Sequence, residues 1–187
     1  MMRILYEAVV VLWLGSEVFI GITRSVPYAA RRQDRFSGQA LVAGVALSVW
    51  TGIFVASRVP SAAIVTGGPL VFGLGVAVAL CGIGLRWWAV LTLGRFFTTR
   101  VTTTASQTVV QSGPYRWLRH PSYTGALLTV LGVLLCNTNW LSLACFAIAV
   151  PGFAYRIRVE ERALVAGLGQ PYREYMRRTK RLVPFVV

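Results

Sequence analysis

Acidic side chains are scarce in this chain. Six Asp and Glu stand against nineteen Lys and Arg, and there is one histidine, His120. The three cysteines, Cys81, Cys136 and Cys145, fall in or beside apolar runs and show no metal-ligand spacing, so neither a metal nor a disulfide is implied. Charged residues make up only 13% of the chain, against 56% hydrophobic residues and a mean hydropathy of +0.63, which is too apolar for an ordinary soluble domain. A soluble dinucleotide fingerprint is missing as well: no G-x-G-x-x-G follows a strand pattern, and Gly73-Leu74-Gly75 lies inside an apolar run. There is no internal repeat. What is left is one membrane-embedded domain covering residues 1–187.

Five apolar segments, at about 4–22, 39–57, 69–93, 122–136 and 140–155, are candidates to cross or deeply enter a bilayer. Asn137-Thr138-Asn139 closes the last two into a tight helical hairpin. With the N-terminus outside, sixteen of the nineteen basic residues fall on the inner side, only Arg3 and Arg58 on the outer, and Arg86 within the third segment. The positive-inside rule therefore predicts an external N-terminus and a cytoplasmic C-terminus. Topology and lipid headgroups account for the net charge of +13, which removes the motive for a nucleic-acid partner. Glu7 and Glu17 within the first apolar run, and the Arg31-Arg32 cluster after it, favour an uncleaved span over a signal peptide.

Arg86 lies about 10 Å inside the end of the third segment by helical rise, at a depth similar to that of Glu17 in the first, and a charge so placed calls for a partner. The same segment carries two rows of small residues, Gly73/Ala77/Cys81 and Gly75/Ala79, which predict close helix packing on two faces. From Phe97 to Ser112 the chain is Thr-rich and weakly periodic and reads as extended backbone and loop on the cytoplasmic face.

Chemistry concentrates in Gly113-Pro114-Tyr115-Arg116-Trp117-Leu118-Arg119-His120-Pro121-Ser122-Tyr123-Thr124-Gly125. Pro121 suits the first turn of a helix, which predicts free N–H groups at residues 122–124 and a place for the anionic group of a cofactor. Beyond the fifth segment the helical pattern continues to about Ala166, with Gly167 and Gly169 ending it and Pro171 starting another short helix. Arg156 and Glu160, four apart, share a face there.

The 113–125 stretch, Arg156-x-x-x-Glu160-Glu161-x-x-Leu164, Gly169-x-x-Tyr172-x-x-Tyr175 and the closing Arg181-Leu182-Val183-Pro184-Phe185 together resemble the isoprenylcysteine carboxyl methyltransferase family. The resemblance covers roughly residues 86–187, while residues 1–60 carry no recognised motif. It implies an all-α integral membrane enzyme of about five membrane helices that holds S-adenosylmethionine in a cytoplasmic-facing pocket under a C-terminal helical cap. Carried over by position, the cofactor contacts are Gln107, Thr108, Val109, Val110, Tyr115, His120, Pro121, Ser122, Tyr123 and Glu160, with Arg156 at the substrate-contacting arginine. Position 107 is an amide where many members have histidine.

Residue chemistry is compatible with that assignment. The cofactor's carboxylate, ammonium, ribose, adenine and sulfonium need an anion receptor, a carboxylate, hydrogen-bonding groups and apolar walls, all of which the 113–125 loop and Glu160 contain. The implied reaction is methyl transfer to a lipophilic acceptor drawn from the bilayer, with a prenylcysteine-like carboxylate foremost. Alternatives are a phospholipid or small-molecule N-, S- or O-methyltransferase, a membrane reductase using a nicotinamide cofactor, and a non-enzymatic membrane scaffold.

Overall fold

The computed structural model describes residues 1–23, 36–94 and 109–183. Among them are seven α-helices: α1 (Met2–Thr23), α2 (Ser37–Arg58), α3 (Gly68–Leu93), α4 (Pro121–Cys136), α5 (Trp140–Ala144), α6 (Phe146–Leu168) and α7 (Gln170–Arg178). Short 3₁₀ turns occupy Pro60–Ala62 and Gly113–Arg116. The only β-type pairings among the described residues are two isolated bridges, Ala63 with Asn139 and Leu118 with Lys180.

Among the described residues, four helical stretches are long and apolar enough to cross a membrane: Met2–Thr23, Ser37–Arg58, Gly68–Leu93 and Trp140–Leu168. The protein is an integral membrane protein. The expected fourth segment forms a shorter apolar helix, with its 16 residues rising about 24 Å against a hydrocarbon core of about 30 Å. The expected fifth segment continues as one helical run to Leu168, close to the expected end near Ala166, but is broken near its start. The Asn139 side chain caps α5 by accepting from the Leu141 and Ser142 amides, and α6 then runs on to Leu168. Gly167 lies within α6, so Gly169 alone ends that helix, at φ 63°, a conformation that suits glycine.

The small-residue rows of α3 behave differently from each other. Gly75, Ala79 and Gly82 are buried against α4, where Gly125, Thr129 and Gly132 face them. A Cβ on Gly82 would meet the Thr129 amide at 2.5 Å, and one on Gly125 would meet the Gly82 carbonyl at 2.6 Å. Gly73, Ala77 and Cys81 instead face outward, so close packing on two faces is not what forms. An α-helix has room for one such backbone approach along α4, and the Gly75 row takes it because it is in phase with Gly82.

Helix α6 packs on α2 in a similar way. A Cβ on Gly152 would meet the Ala40 carbonyl at 2.9 Å, and Ser48 Oγ donates to the Cys145 carbonyl at 2.9 Å. Helix α1 docks by one stripe, Val9, Trp13, Ser16 and Ile20, whose spacing follows the helical period. Trp13 joins Ile83, Val130, Val133 and Leu134 in the apolar core, while Val11, Leu12, Leu14, Val18 and Phe19 remain exposed to the surroundings. Two ends result. At one, Asn139 Nδ2 donates to the Val59 carbonyl at 3.0 Å and the Ile64 amide to the Thr138 carbonyl at 2.7 Å. At the other lie the start of α4, the end of α6, α7 and the C-terminal strand of chain, which together make the site.

Candidate functional site

The approach to α4 is a tight turn. Pro114 and Tyr115 are buried in the 3₁₀ turn, and the Tyr175 hydroxyl donates to the Tyr115 and Leu118 carbonyls at 2.7 and 3.1 Å. Helix α7 thereby clamps the turn from below through its buried face, Tyr172 and Tyr175, and leaves Arg173, Arg177 and Arg178 exposed. The chain after α7 then runs beside residues 117–120. The Arg119 amide donates to the Lys180 carbonyl at 2.7 Å, the His120 amide to Arg181 at 3.1 Å, and Lys180 back to Trp117 at 3.0 Å. Thr124 Oγ1 adds a bond to the Leu182 carbonyl at 2.7 Å. Residues 184–187, including Pro184 and Phe185 of the closing motif, lie outside the described residues.

Glu161 is the ionic centre of this end. Its carboxylate, 5% exposed as a residue, accepts from Arg119 Nε at 2.9 Å and pairs with Arg181 Nη2 at 3.0 Å. Arg119 Nη1 also donates to the Met176 and Thr179 carbonyls, so one guanidinium ties α6, α7 and the loop together. Position-by-position reading singled out Glu160 and passed over Glu161. A signal was present: Glu161 falls on the helical face of Ile157 and Leu164, so its carboxylate enters an apolar face and must be paired there.

Glu160 is half-buried on the neighbouring face, where Tyr123 Oη donates to Oε2 at 2.7 Å. Arg156 Nε in turn donates to Tyr123 Oη at 3.1 Å, and Arg156 Nη1 to Ser37 Oγ at 2.9 Å. Arg156 is 3% exposed as a residue, and its guanidinium sits between α6, α4 and the start of α2. Ser37, fully buried, is a site neighbour that the sequence did not suggest. Only folding places the start of α2 beside a residue 119 positions later.

The start of α4 corrects one expectation. The amides of Tyr123 and Thr124 both donate to the His120 carbonyl, at 3.0 and 3.1 Å, so they are consumed by the turn that opens the helix and do not form an anion receptor. His120 is 4% exposed, with its ring stacked on Tyr123 at 5.7 Å between centroids. Its Nε2 lies 3.4 Å from Glu161 Oε1, at the outer limit of hydrogen bonding, and has no well-formed partner among the described residues. Ser122 Oγ accepts from Arg86 Nη1 at 2.9 Å, and Arg86 forms an ion pair with Glu17. Burial, reinforced by the Glu160 carboxylate, holds the Tyr115 phenol well above its usual value of 10, so it is neutral at physiological pH.

The structure thus brings together Tyr115, His120, Pro121, Ser122, Tyr123, Arg156 and Glu160 at one end of the bundle. Val109 and Val110 are partly buried in the described chain before the turn, while Gln107 and Thr108, with most of the expected 97–112 loop, lie outside the described residues. The donor set fits the ammonium, ribose and adenine of S-adenosylmethionine, while the Tyr123 and Thr124 amides expected to receive its carboxylate are taken by the His120 carbonyl. A buried imidazole nitrogen with no well-formed hydrogen bond among the described residues, a carboxylate bonded to a phenol, and stacked His120 and Tyr123 rings are what an amino-acid and nucleoside ligand can engage. Among the described residues, no group of three His, Cys, Asp or Glu side chains forms a metal site.

Comparison with known proteins gives a consistent picture. The model of the isoprenylcysteine carboxyl methyltransferase family matches residues 74–166. A protein-S-isoprenylcysteine O-methyltransferase B of Arabidopsis thaliana is 38% identical over 117 residues, covering 60% of this chain and 58% of that enzyme. The Xenopus laevis protein-S-isoprenylcysteine O-methyltransferase is 38% identical over 118 residues, 60% of this chain and 40% of that one. An uncharacterized Bacillus subtilis protein, YpbQ, is 29% identical over 115 residues, 60% of this chain and 68% of its own length. The solved structure of a eukaryotic intramembrane Ras methyltransferase, an isoprenylcysteine carboxyl methyltransferase, superposes with a TM-score of 0.70 at 26% identity, covering 97% of this chain and 65% of that one. The chain spans about half the length of the named methyltransferases it matches in sequence.

Proposed function

The chain belongs to the isoprenylcysteine carboxyl methyltransferase family, and from that premise we propose that it transfers the methyl group of S-adenosylmethionine to the carboxylate of a lipophilic, prenylcysteine-like acceptor. The observation that carries the reading is the Arg156–Tyr123–Glu160 chain of hydrogen bonds, 3.1 and 2.7 Å, at the end of the bundle where His120 and Ser122 also converge. Bound S-adenosylmethionine supplies an electrophilic methyl group. The protein's task is then positioning, which is the larger part of the barrier reduction in an in-line displacement.

A carboxylate acceptor is already ionised at neutral pH and needs no general base. Arg156 supplies the planar two-point donor that aims it, exchanging its bond to Ser37 or Tyr123 for the acceptor oxygens. Glu160 offers a carboxylate for the cofactor's ammonium, held in place by the Tyr123 hydroxyl. His120 offers a ring nitrogen as a contact. Water is kept away by the 180–183 segment lying across residues 117–124.

The bilayer provides the acceptor, and the site faces the cytoplasm. Sixteen of nineteen basic residues support that orientation, and the turns at 59–64 and 137–139 meet at the opposite end from the site, as the alternating topology requires. Calorimetry of the purified protein with S-adenosylmethionine and with NADPH tests the cofactor. Micromolar binding of the first and none of the second is expected, and Glu160→Gln should weaken that binding at least tenfold. Binding of NADPH alone would overturn the proposal. A methyl-transfer screen across prenylcysteines, fatty acids, phenols and thiols then identifies the acceptor, with prenylcysteine carboxylates expected to react fastest.

A further inference from the structure

We infer that Glu17 on α1 is a positioning residue for the cofactor site, acting through Arg86 on Ser122. The inference rests on the reading of Ser122 as part of the S-adenosylmethionine pocket. Helix α1 lies outside the matched 74–166 region and touches the bundle by a single stripe, yet it carries a carboxylate within its apolar length. A charge at that depth is costly unless it has a task.

The task follows from how the guanidinium is divided. Arg86 turns its Nε and Nη2 edge to Glu17: Nη2 donates to Oε2 at 2.6 Å, while Nε lies 2.5 Å from Oε1 as an ion-pair contact without hydrogen-bond alignment, and the two side chains are only 14% and 32% exposed. That leaves Nη1 to Ser122, 2.9 Å from Oγ and 3.3 Å from the carbonyl oxygen. Because a guanidinium is planar and rigid, fixing one edge on Glu17 sets the direction of Nη1. The Arg86 backbone has no play of its own, since it packs against Gly125 so closely that a Cβ there would meet the Arg86 amide at 2.7 Å. Only the side chain is left to steer, and Glu17 steers it.

Ser122 transmits the constraint. Its hydroxyl accepts from Arg86, which leaves the single O–H proton for another acceptor. It lies between His120 and Tyr123 in sequence, and Tyr123 both stacks on His120 and holds Glu160. A Ser122 that loses its anchor therefore loosens the first turn of α4, where the candidate cofactor contacts are concentrated. The buried stripe of Val9, Trp13 and Ile20 holds α1 on the bundle apart from the ion pair, and the largely exposed Phe19 adds a ring contact with Trp87 at 5.7 Å between centroids, so docking and steering are separable.

The test is a double-mutant cycle on the cofactor dissociation constant, measured by calorimetry on the full-length protein in detergent. It uses Glu17→Gln, Ser122→Ala and the pair together, with the melting temperature of each cofactor-free protein. Glu17→Gln should weaken S-adenosylmethionine binding about tenfold, equivalent to about 1.4 kcal/mol. The double variant should bind no worse than the weaker single within about twofold, because both changes cut one chain. Glu17→Asp, which keeps the charge and shortens the reach, should weaken binding by a smaller factor, about threefold, and guards against a Gln variant that does not fold. Unchanged affinity in the folded Glu17 variants overturns the inference, as does full multiplication of the two single effects. A lowered melting temperature with unaltered affinity makes the pair a docking device for α1 and overturns it equally. Wild-type protein that binds no S-adenosylmethionine overturns the cofactor reading and this inference together, whereas normal wild-type binding that is indifferent to Glu17 overturns this inference alone.

Discussion

Glu161→Gln should destabilise the protein by more than any other single isosteric change at the site. The carboxylate faces two guanidiniums and an imidazole from the inside of the bundle. Removing one partner of a buried ion pair costs about 3–5 kcal/mol when the other is stranded. Here two features lower that figure. Arg119 keeps the Met176 and Thr179 carbonyls through Nη1, and the Arg181 side chain is 44% exposed, so its pair with Glu161 adds at most about 1 kcal/mol. A loss of about 2–3 kcal/mol remains, which for a chain of this size lowers the melting temperature by roughly 5–10 °C. Thermal unfolding in detergent, followed by retention of the monodisperse peak, measures it. Glu160→Gln is the control, since it removes the charge from one phenol bond on a half-buried group and should shift melting far less while affecting cofactor affinity more. A Glu161→Gln protein melting within about 2 °C of wild type, less than 1 kcal/mol by the same conversion, would refute the view of Glu161 as the ionic centre of the C-terminal clasp.

Four further outcomes are expected. Arg156→Ala should depress methyl transfer far more than cofactor affinity, and Arg156→Lys should recover little because lysine lacks the two-point donor geometry; unchanged turnover at subsaturating acceptor would remove Arg156 from the mechanism. Gly125→Ala places a Cβ 2.6 Å from the Gly82 carbonyl and 2.7 Å from the Arg86 amide, and the forced separation of α3 and α4 should cost about 1–3 kcal/mol in unfolding experiments. Burial pushes Tyr175 up to about 12 and Tyr172 higher still, so the folded state resists ionising phenols that ionise near 10 when unfolded; their contribution is complete below about pH 10 and is lost as pH rises toward 12, visible as a falling melting temperature in that window and reduced by Tyr175→Phe. Single-cysteine labelling in intact cells should reach exposed Ser61 from outside and exposed Arg177 only after permeabilisation; Ser37, which is buried, is no use as a reporter.

Much of the fold was legible in the chain because membrane helices are written in local composition. A run of apolar residues long enough to span needs no tertiary partner to be recognised, and α1, α2 and α3 begin and end within about two residues of the sequence-based bounds. The Gly169 stop and the Pro171 restart were readable for the same local reason, as was the concentration of hydrogen-bonding groups between Gly113 and Gly125. The break at α5 was not, because it depends on whether the Asn139 side chain turns back to cap Leu141 and Ser142, a choice made jointly with its bond to Val59.

Composition and periodicity by themselves determined that this is a helical membrane protein, where its chemistry lies along the chain, and that Glu17 and Arg86 needed partners. Tertiary structure decided which partners they and the other charges take. Two adjacent carboxylates, Glu160 and Glu161, are chemically identical in the sequence, and about 100° of helical rotation separates them. That rotation sends Glu161 to Arg119 and Arg181, where it holds the C-terminal segment, and Glu160 to Tyr123 in the candidate cofactor site. It likewise turns one of two equivalent small-residue rows of α3 toward α4 and the other away. Charge pairing and backbone approach depend on distances of a few ångströms between residues tens of positions apart, and only the packed bundle sets those distances.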